Sequence, residues 1–184
     1  SKFKTPMDLA VDTKGNVFVA DYNNHRVQKF NSEGKFLGNF GGAGSADRNL
    51  HYPSGIATDS ADNVYVASSG EHFIKKYDKN GRFLKKFGGY GPGRNNLYYP
   101  FDVAVDGTGN VYVVELQNHQ IKVLDSSGGY LRTIGDYGSG DGEFQYPNRI
   151  AIDVADNLYV SDYLNHRIQK FDDKGVFALK WGSF

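Results

Sequence analysis

Cysteine is absent from the 184 residues, which excludes disulfide bonds and thiolate metal sites and leaves the cellular compartment open. There is no Asn-x-Ser/Thr sequon, and no apolar run reaches the length of a membrane span, so we expect no membrane insertion. The first residues do not have the pattern of a signal peptide. An excess of either charge is also missing, because 21 basic residues balance 21 acidic ones, and this disfavours a general nucleic-acid binder.

The residues that are abundant indicate β-structure. The chain has 23 glycines, 13 tyrosines and 13 phenylalanines, a composition typical of strands joined by tight turns. Its length fits one domain with a sizeable core.

An internal repeat of 47 residues organises the whole sequence. Proline recurs with this spacing at 6, 53, 100 and 147, without an insertion or deletion between copies. Other residues keep the same step: Asp12, Asp59, Asp106 and Asp153; Asn16, Asn63, Asn110 and Asn157; His25, His72, His119 and His166; Gly34, Gly81, Gly128 and Gly175. A period near 40–50 residues indicates propeller blades or solenoid units.

Each copy predicts four strands and no helix. In the second copy "SGIATD", "VYVAS", "FIKKYD" and "RFLKKFG" are separated by short turns and loops. Four strands per unit predict an all-β propeller with four antiparallel blades. We expect a single domain, 1–184, with blades at about 5–41, 52–88, 99–135 and 146–184. Alternation along the fourth strands predicts that Phe36, Gly38 and Phe40 share a face, as do Phe177, Leu179 and Trp181.

The four histidines raise the question of a metal site, and their position argues against one. They follow the second strand, so they lie away from the axis and too far apart to share one ion. We interpret His25, His72, His119 and His166 as structural residues that bond the backbone of their own or the next connection. Asp12, Asp59, Asp106 and Asp153 precede tight turns, where an Asp side chain bonds nearby backbone.

The block P-x-x-[IVL]-A-x-D-x-x-x-N-[VL]-[FY]-V, followed by [NE]-H-x-[IV], resembles the NHL repeat, and the resemblance covers essentially the whole chain. It implies a β-propeller of four-stranded blades. Propellers of this family commonly have six blades, whereas this chain has four. The blades either close on themselves, form an open arc or need another chain to complete the ring. In an open arc the terminal blades expose apolar side chains, so we expect self-association there. The family also includes many secreted and surface-attached proteins, which favours an extracytoplasmic location.

Variable residues concentrate on one face, formed by the loops after each second strand and by the connections between blades. We predict that this face binds a protein, peptide or polar ligand without chemistry and without a cofactor. The predicted binding residues are Tyr22, Arg48, Arg94, Phe101, Asp102, Glu115, Asn148, Arg149 and Tyr163. Tyrosine and arginine are frequent anchors at interfaces.

Two alternatives remain open. Some NHL propellers bind RNA on this face, and the aromatic residues and arginines here suit stacking and phosphate contacts. The third alternative is a lyase or hydrolase with a metal in the central channel, as in the amidating lyase with an NHL-like propeller. The positions that would supply its histidine ligands read Met7, Ser54, Phe101 and Asn148 here. Asp8 and Asp102 are left as a weak cation pair, and the balance points away from an enzyme.

Overall fold

The protein folds into four antiparallel sheets of four strands each. The computed structural model describes residues 2–91 and 93–182, and within them it contains no α-helix. Blade 1 comprises Pro6–Val11 (β1), Val17–Asp21 (β2), Arg26–Phe30 (β3) and Phe36–Gly41 (β4). Blade 2 comprises Pro53–Thr58 (β5), Val64–Ser68 (β6), Phe73–Tyr77 (β7) and Phe83–Gly88 (β8). Blade 3 comprises Pro100–Val105 (β9), Val111–Glu115 (β10), Gln120–Leu124 (β11) and Tyr130–Ile134 (β12). Blade 4 comprises Pro147–Ile152 (β13), Leu158–Asp162 (β14), Arg167–Phe171 (β15) and Phe177–Trp181 (β16).

Each sheet is a simple meander in which consecutive strands pair. The first residue of each innermost strand lies opposite the last residue of the second, as Pro6 does with Asp21. The start of the inner strand, the loop after the second strand and the end of the fourth strand therefore lie at one end of every blade. We name this end the loop face. It carries four short 3₁₀ turns, Tyr22–Asn24, Ser69–Glu71, Leu116–Asn118 and Tyr163–Asn165.

Blades stack face against face, and each seam is apolar. We name the face toward the next blade in sequence the forward face, and the opposite one the rear face. Between blades 1 and 2, Phe18 and Val27 of the forward face pack on Val64 and Val66 of the rear face, with Leu50 of the connection between them. The same arrangement recurs between blades 2 and 3 and between blades 3 and 4. The buried β-branched and aromatic side chains explain why the inner strands read as nearly continuous apolar runs.

The repeated aspartates shape the turns at the other end of the blades. Asp59 Oδ1 accepts hydrogen bonds from the backbone N–H groups of Ala61 and Asn63, and the other three aspartates of this position hold their turns in the same way. Burial of the Asp59 carboxyl would raise its pKa, but the bonds from Asn63 and the neighbouring Lys76 hold the pKa below its ordinary value.

Each repeated histidine lies in the loop after the second strand of its blade, and three of them bond the segment that leads into the next blade. His25 adopts the left-handed backbone conformation that ends a 3₁₀ turn, with φ of 55°. Its ring Nδ1 accepts the backbone N–H of Tyr52 at 3.2 Å, and the rings of His72 and His119 accept those of Tyr99 and Tyr146 at 3.0 Å. His166 occupies the equivalent position at the end of the fourth 3₁₀ turn, with φ of 50°.

The four blades do not close into a ring. The rear face of blade 1 and the forward face of blade 4 both remain open to solvent, so Leu9 is 59% exposed while its equivalent Val103, inside a seam, is 2% exposed. Arg149 joins the two terminal blades at the axis by donating from Nη2 to the carbonyl oxygen of Met7 at 3.0 Å. Of the three arrangements expected from the repeat, the closed ring of four blades is excluded, and the single chain forms an open arc.

The predicted alternation of the fourth strands is wrong. A bulge in β4 pairs Phe36 with Phe30 and Gly38 with Lys29, which places Phe36 on the rear face while Phe40 stays on the forward face. A bulge at the same place in β16 separates Phe177 from Trp181.

Within the described part of the chain, no helix has the length and apolar character that crossing a membrane requires.

Two equivalent glycines separate the cost of backbone strain from the cost of a clash in the seam. Gly34 and Gly81 both have positive φ, 78° and 83°, but a Cβ at Gly34 meets open space while one at Gly81 lies 2.6 Å from Phe40. We expect Gly34→Ala to lower the free energy of unfolding by about 1–2 kcal/mol. Gly81→Ala should cost clearly more, because Phe40 must also move. Urea unfolding of both variants measures the difference, and equal losses would contradict the packing of blade 1 on blade 2.

The histidine contacts predict a pH dependence of stability. Burial lowers the pKa of His25 and His72, and the nearby His51 and Lys4 add to the effect at His25. Because the unfolded chain binds these protons more tightly, the stability contributed by both histidines is full above about pH 6.5 and is lost as the pH falls below it. The double variant His25→Asn, His72→Asn tolerates the left-handed backbone and does not titrate, so its stability should fall less between pH 7.5 and 5.5.

Urea unfolding of the wild type and this double variant at both pH values tests the expectation. The raised pKa of the buried Asp102 changes the stability in the opposite direction over the same pH range. Asp102 is present in both proteins, so the difference between them isolates the two histidines. An identical change in stability for both proteins would show that the two histidines are not coupled to folding.

Candidate ligand-binding face

Six exposed tyrosines surround the loop face, and we name them the tyrosine rim. Its members are Tyr52, Tyr90, Tyr99, Tyr137, Tyr146 and Tyr163. Three of them directly precede the innermost strands and have positive φ, between 45° and 56°, a conformation that costs a non-glycine residue free energy. Thr5 precedes β1 in the same conformation, so the backbone geometry belongs to the repeat, and the tyrosine side chains are what the later blades add.

The histidines hold these rings in place. Tyr52, Tyr99 and Tyr146 each present an edge to the histidine that bonds their N–H, with ring centroids 4.4–4.7 Å apart. Edge-to-face contacts of this kind orient an aromatic ring without burying it. Each rim tyrosine before a proline is therefore both exposed and fixed.

The densest aromatic cluster lies at the seam between blades 2 and 3. His72 contacts Tyr90 at 5.1 Å, Tyr98 at 5.9 Å and Tyr99 at 4.4 Å between ring centroids. Tyr90 is 72% exposed, and Tyr90, Gly91, Tyr98 and Asn118 line a cavity of about 400 Å³. Exposed Tyr90 was not among the predicted binding residues, although its equivalent position in the next blade, Tyr137, carries the same residue type.

At the centre of the loop face an arginine covers an aromatic ring. The Arg149 guanidinium lies 4.9 Å from the centre of the Phe101 ring and also donates from Nη1 to the carbonyl oxygen of Asn148. Asn148 Oδ1 accepts the Ser161 hydroxyl at 2.6 Å, and Ser161 Oγ accepts the Arg149 N–H. We name Phe101, Asn148 and Arg149 the central cluster; all three are partly exposed. The structure thus brings three predicted residues together at one place.

The two aspartates proposed as a weak cation pair are used by the seams. Asp8 Oδ2 accepts the backbone N–H of Ile56 at 2.8 Å, and Asp102 Oδ2 accepts that of Ile150 at 3.0 Å, in each case from the next blade. Burial, and then the nearby Asp8 carboxylate, raise the pKa of the Asp102 carboxyl to about 7. In the part of the chain that the structure describes, no three His, Cys, Asp or Glu side chains form a group that could hold a metal.

Two predicted binding residues are buried and do not line the surface. Glu115 is 0% exposed: its carboxylate accepts the backbone N–H of Tyr98 and the side-chain amide of Gln120, and it pairs with Lys122 at 3.4 Å. Asp102 is 3% exposed between blades. Their place in the expected set was wrong, because both carboxylates satisfy backbone and side-chain donors inside the fold.

Two predicted arginines lie at the outer edge and not near the axis. Arg48 lines a groove with Phe40 and Arg82, and Arg94 covers the Tyr130 ring with its guanidinium 5.8 Å from the ring centre. The outer part of each connection runs beside the outer strands of the next blade, which explains both positions. Tyr22 and Tyr163 open the 3₁₀ turns of blades 1 and 4, and Tyr22 packs against Tyr52 with centroids 5.0 Å apart.

Comparisons with known proteins agree with this architecture. The family model for the NHL repeat matches residues 3–30, and a model described as a 6-bladed beta-propeller matches residues 102–179. The Protein brain tumor of Drosophila melanogaster is 43% identical over 53 residues, which are 29% of this chain and 5% of that protein.

Solved structures share the fold at low sequence identity. A propeller chain in a nidogen/laminin complex matches with a TM-score of 0.73 and 20% identity, over 99% of this chain and 65% of that one. A streptogramin B lyase matches with a TM-score of 0.71 and 16% identity, over 96% of this chain and 54% of that one. The chain thus spans about half to two thirds of the length of these structures. The repeated sequence block, the four sheets and both family matches lead to one conclusion: the chain is an all-β propeller protein built of repeats that are similar to the NHL repeat.

Proposed function

We propose that this chain is a non-catalytic interaction module that binds a protein or peptide through the tyrosine rim and the central cluster. The observation that carries the proposal is the exposure of six tyrosines on one face of a rigid β-scaffold. Elsewhere in the described chain the tyrosines are buried or partly buried, and Tyr65, Tyr77 and Tyr112 are among the buried ones. Tyrosine rings offer large amphipathic contact area with few rotatable bonds, so fixed and exposed tyrosines are suited to anchor a partner.

The charges of this face favour a polar partner over a strongly charged one. Arg149 presents a guanidinium at the centre, while Asp21 and Asp162, which directly precede the 3₁₀ turns of blades 1 and 4, are buried against arginines at 2.9 and 2.8 Å. The carboxylates of the loop face are therefore largely neutralised within the fold, and the partner meets aromatic rings, hydroxyls and a single central cation. An extended peptide with apolar side chains and a free carboxylate or carbonyl groups fits such a surface.

A selection of random peptides on the immobilised chain tests this proposal. Peptides that bind the wild type should lose affinity by about 30-fold or more when Tyr90 or Tyr163 is changed to alanine, because a central interface tyrosine commonly contributes 2 kcal/mol or more. Arg149→Ala should weaken peptides that place an acceptor at the centre. Leu131→Ala, at an exposed position on the outer strand β12, is the matched control and should leave affinity unchanged. Selected peptides whose affinity survives all three loop-face variants would contradict the proposal.

RNA is the second candidate partner, and one observation favours it. The loop face already contains a stacked pair of rings, His72 and Tyr98, with an interplanar angle of 14°, and exposed Tyr90 lies beside them. A base can stack on such a platform, and Arg149 can contact a phosphate. The zero net charge of the chain provides no general electrostatic attraction in support.

A salt titration separates the two partners. If RNA binds this face, the affinity for single-stranded RNA oligonucleotides should fall as salt rises through physiological ionic strength, and Tyr90→Ala should weaken binding by about 1–3 kcal/mol. Fluorescence anisotropy with labelled oligonucleotides measures both effects. Absence of salt-sensitive binding near physiological ionic strength would leave the protein or peptide partner as the proposal.

A further inference from the structure

The two open terminal faces of the chain are the two halves of its own repeated seam. Every seam joins the forward face of one blade to the rear face of the next. Blade 1 has no blade on its rear face, and blade 4 has none on its forward face, among the residues that the structure describes. Each open face therefore has the chemistry that the other face packs against elsewhere in the same molecule.

The rear face of blade 1 is apolar and exposed. It presents Leu9, Val11 and Phe36, and Phe3 covers Phe30 beside them with ring centroids 5.6 Å apart. Phe3 occupies the position that Leu50, Leu97 and Phe144 hold in the seams, where all three are fully or almost fully buried. Phe3 thus has the position of a seam residue, but no blade packs over it among the described residues.

The forward face of blade 4 is the matching surface. Trp181 is 47% exposed, whereas its equivalent Ile134 is 4% exposed inside the seam between blades 3 and 4. Tyr159 contacts the Trp181 ring at 6.1 Å and completes an aromatic patch, which Leu179 extends. The seam residues equivalent to Tyr159 are Phe18, Tyr65 and Tyr112, and all three are buried.

A polar contact that recurs in all three seams also has both partners available. A cation of each forward face donates to a backbone carbonyl in the outer hairpin of the next blade: Lys29 to Lys79 at 2.8 Å, Lys85 to Ser126 at 3.4 Å, and Arg132 to Asp173 at 2.9 Å. In blade 4 the position of Lys85 and Arg132 is held by Leu179, and the available cation is Lys170, the equivalent of Lys29. Lys170 lies over the Tyr159 ring as Lys29 lies over that of Phe18. The carbonyl equivalent to that of Lys79 belongs to Ser32 in the outer hairpin of blade 1.

We propose that a second copy of this chain docks head to tail, with the forward face of blade 4 in one copy packed on the rear face of blade 1 in the other. The contact extends an interface that the fold already forms three times, so it requires no new surface. Trp181 and Tyr159 cover Leu9 and Val11 of the second copy, and Lys170 donates to the carbonyl oxygen of Ser32. Copies joined in this way form an open chain, and a ring where the last copy meets the first.

Complementation between two variants tests this geometry. The wild-type chain should associate in sedimentation velocity at micromolar concentrations, with masses that are multiples of 20.4 kDa. Leu9→Lys disables the rear face and Trp181→Lys disables the forward face, so each variant alone should dissociate, with a dissociation constant raised about 30-fold or more. An equimolar mixture of the two should associate again, because the mixture contains one intact face of each kind.

The controls and the contrary results are specific to the head-to-tail arrangement. Leu131→Lys places the same charge at an exposed position on the outer strand of blade 3 and should leave association unchanged. Circular dichroism of each variant checks that the blades remain folded. A wild-type chain that stays monomeric up to about 0.5 mM overturns the proposal, and the open faces are then covered by another partner. Association that only one of the two substitutions removes also overturns it, because the copies would then pair through like faces.

Discussion

The packing of one sheet face on the next is the constraint on which the rest of this structure depends. A four-stranded meander of this size has two apolar faces. Alone, it would leave both faces exposed to water and bury too little apolar surface to be stable. The three seams solve this by pairing forward and rear faces, and the residues between the blades, Leu50, Leu97 and Phe144, fill the outer part of each seam. Stability is therefore shared along the chain, and it is least complete at the two blades with one uncovered face.

The seams also determine what the loop face can present. Because the carboxylates of Asp8 and Asp102 bond the backbone of the neighbouring blade, the inner strands are fixed relative to one another. The histidines then fix each connection to the preceding blade by accepting a tyrosine N–H. The tyrosine rim and the central cluster thus rest on strands and connections that are fixed relative to one another, and such pre-organisation would lower the entropic cost of the proposed association.

The repeat made most of the fold predictable, but not the orientation of single side chains in the outer strands. A 47-residue period with four strand signals fixed the number of blades and their order, because each copy had to meet the same packing problem. The bulge that moves Phe36 away from Phe40 leaves no mark in the alternation of residue types, since both faces of a blade accept an aromatic ring. The count of blades allowed three arrangements, and the structure excludes one of them, the closed ring of four blades.

Sequence reasoning predicted where some of the candidate residues lie in the fold, but not where others do. Phe101, Asn148, Arg149 and Tyr163 lie where the repeat placed them. Glu115 has the sequence pattern of an exposed loop residue, but its carboxylate accepts hydrogen bonds from the Tyr98 N–H and the Gln120 side-chain amide. Such long-range contacts depend on how the connections fold over the blades, and local patterns do not report them. Tyr90 could have been included among the predicted binding residues, because the repeat places a second tyrosine, Tyr137, at the equivalent position.

Hydrogen–deuterium exchange resolved along the chain tests the central claim most directly. The double variant Leu9→Lys, Trp181→Lys, in which the terminal faces stay uncovered, is the sample that reports the seams alone. The account predicts that the inner strands β6 and β10, which have a seam on both sides, exchange most slowly, and that β2 and β14, which have one, exchange faster. Equal protection of all four blades, or slower exchange in β2 and β14 than in β6 and β10, would contradict it.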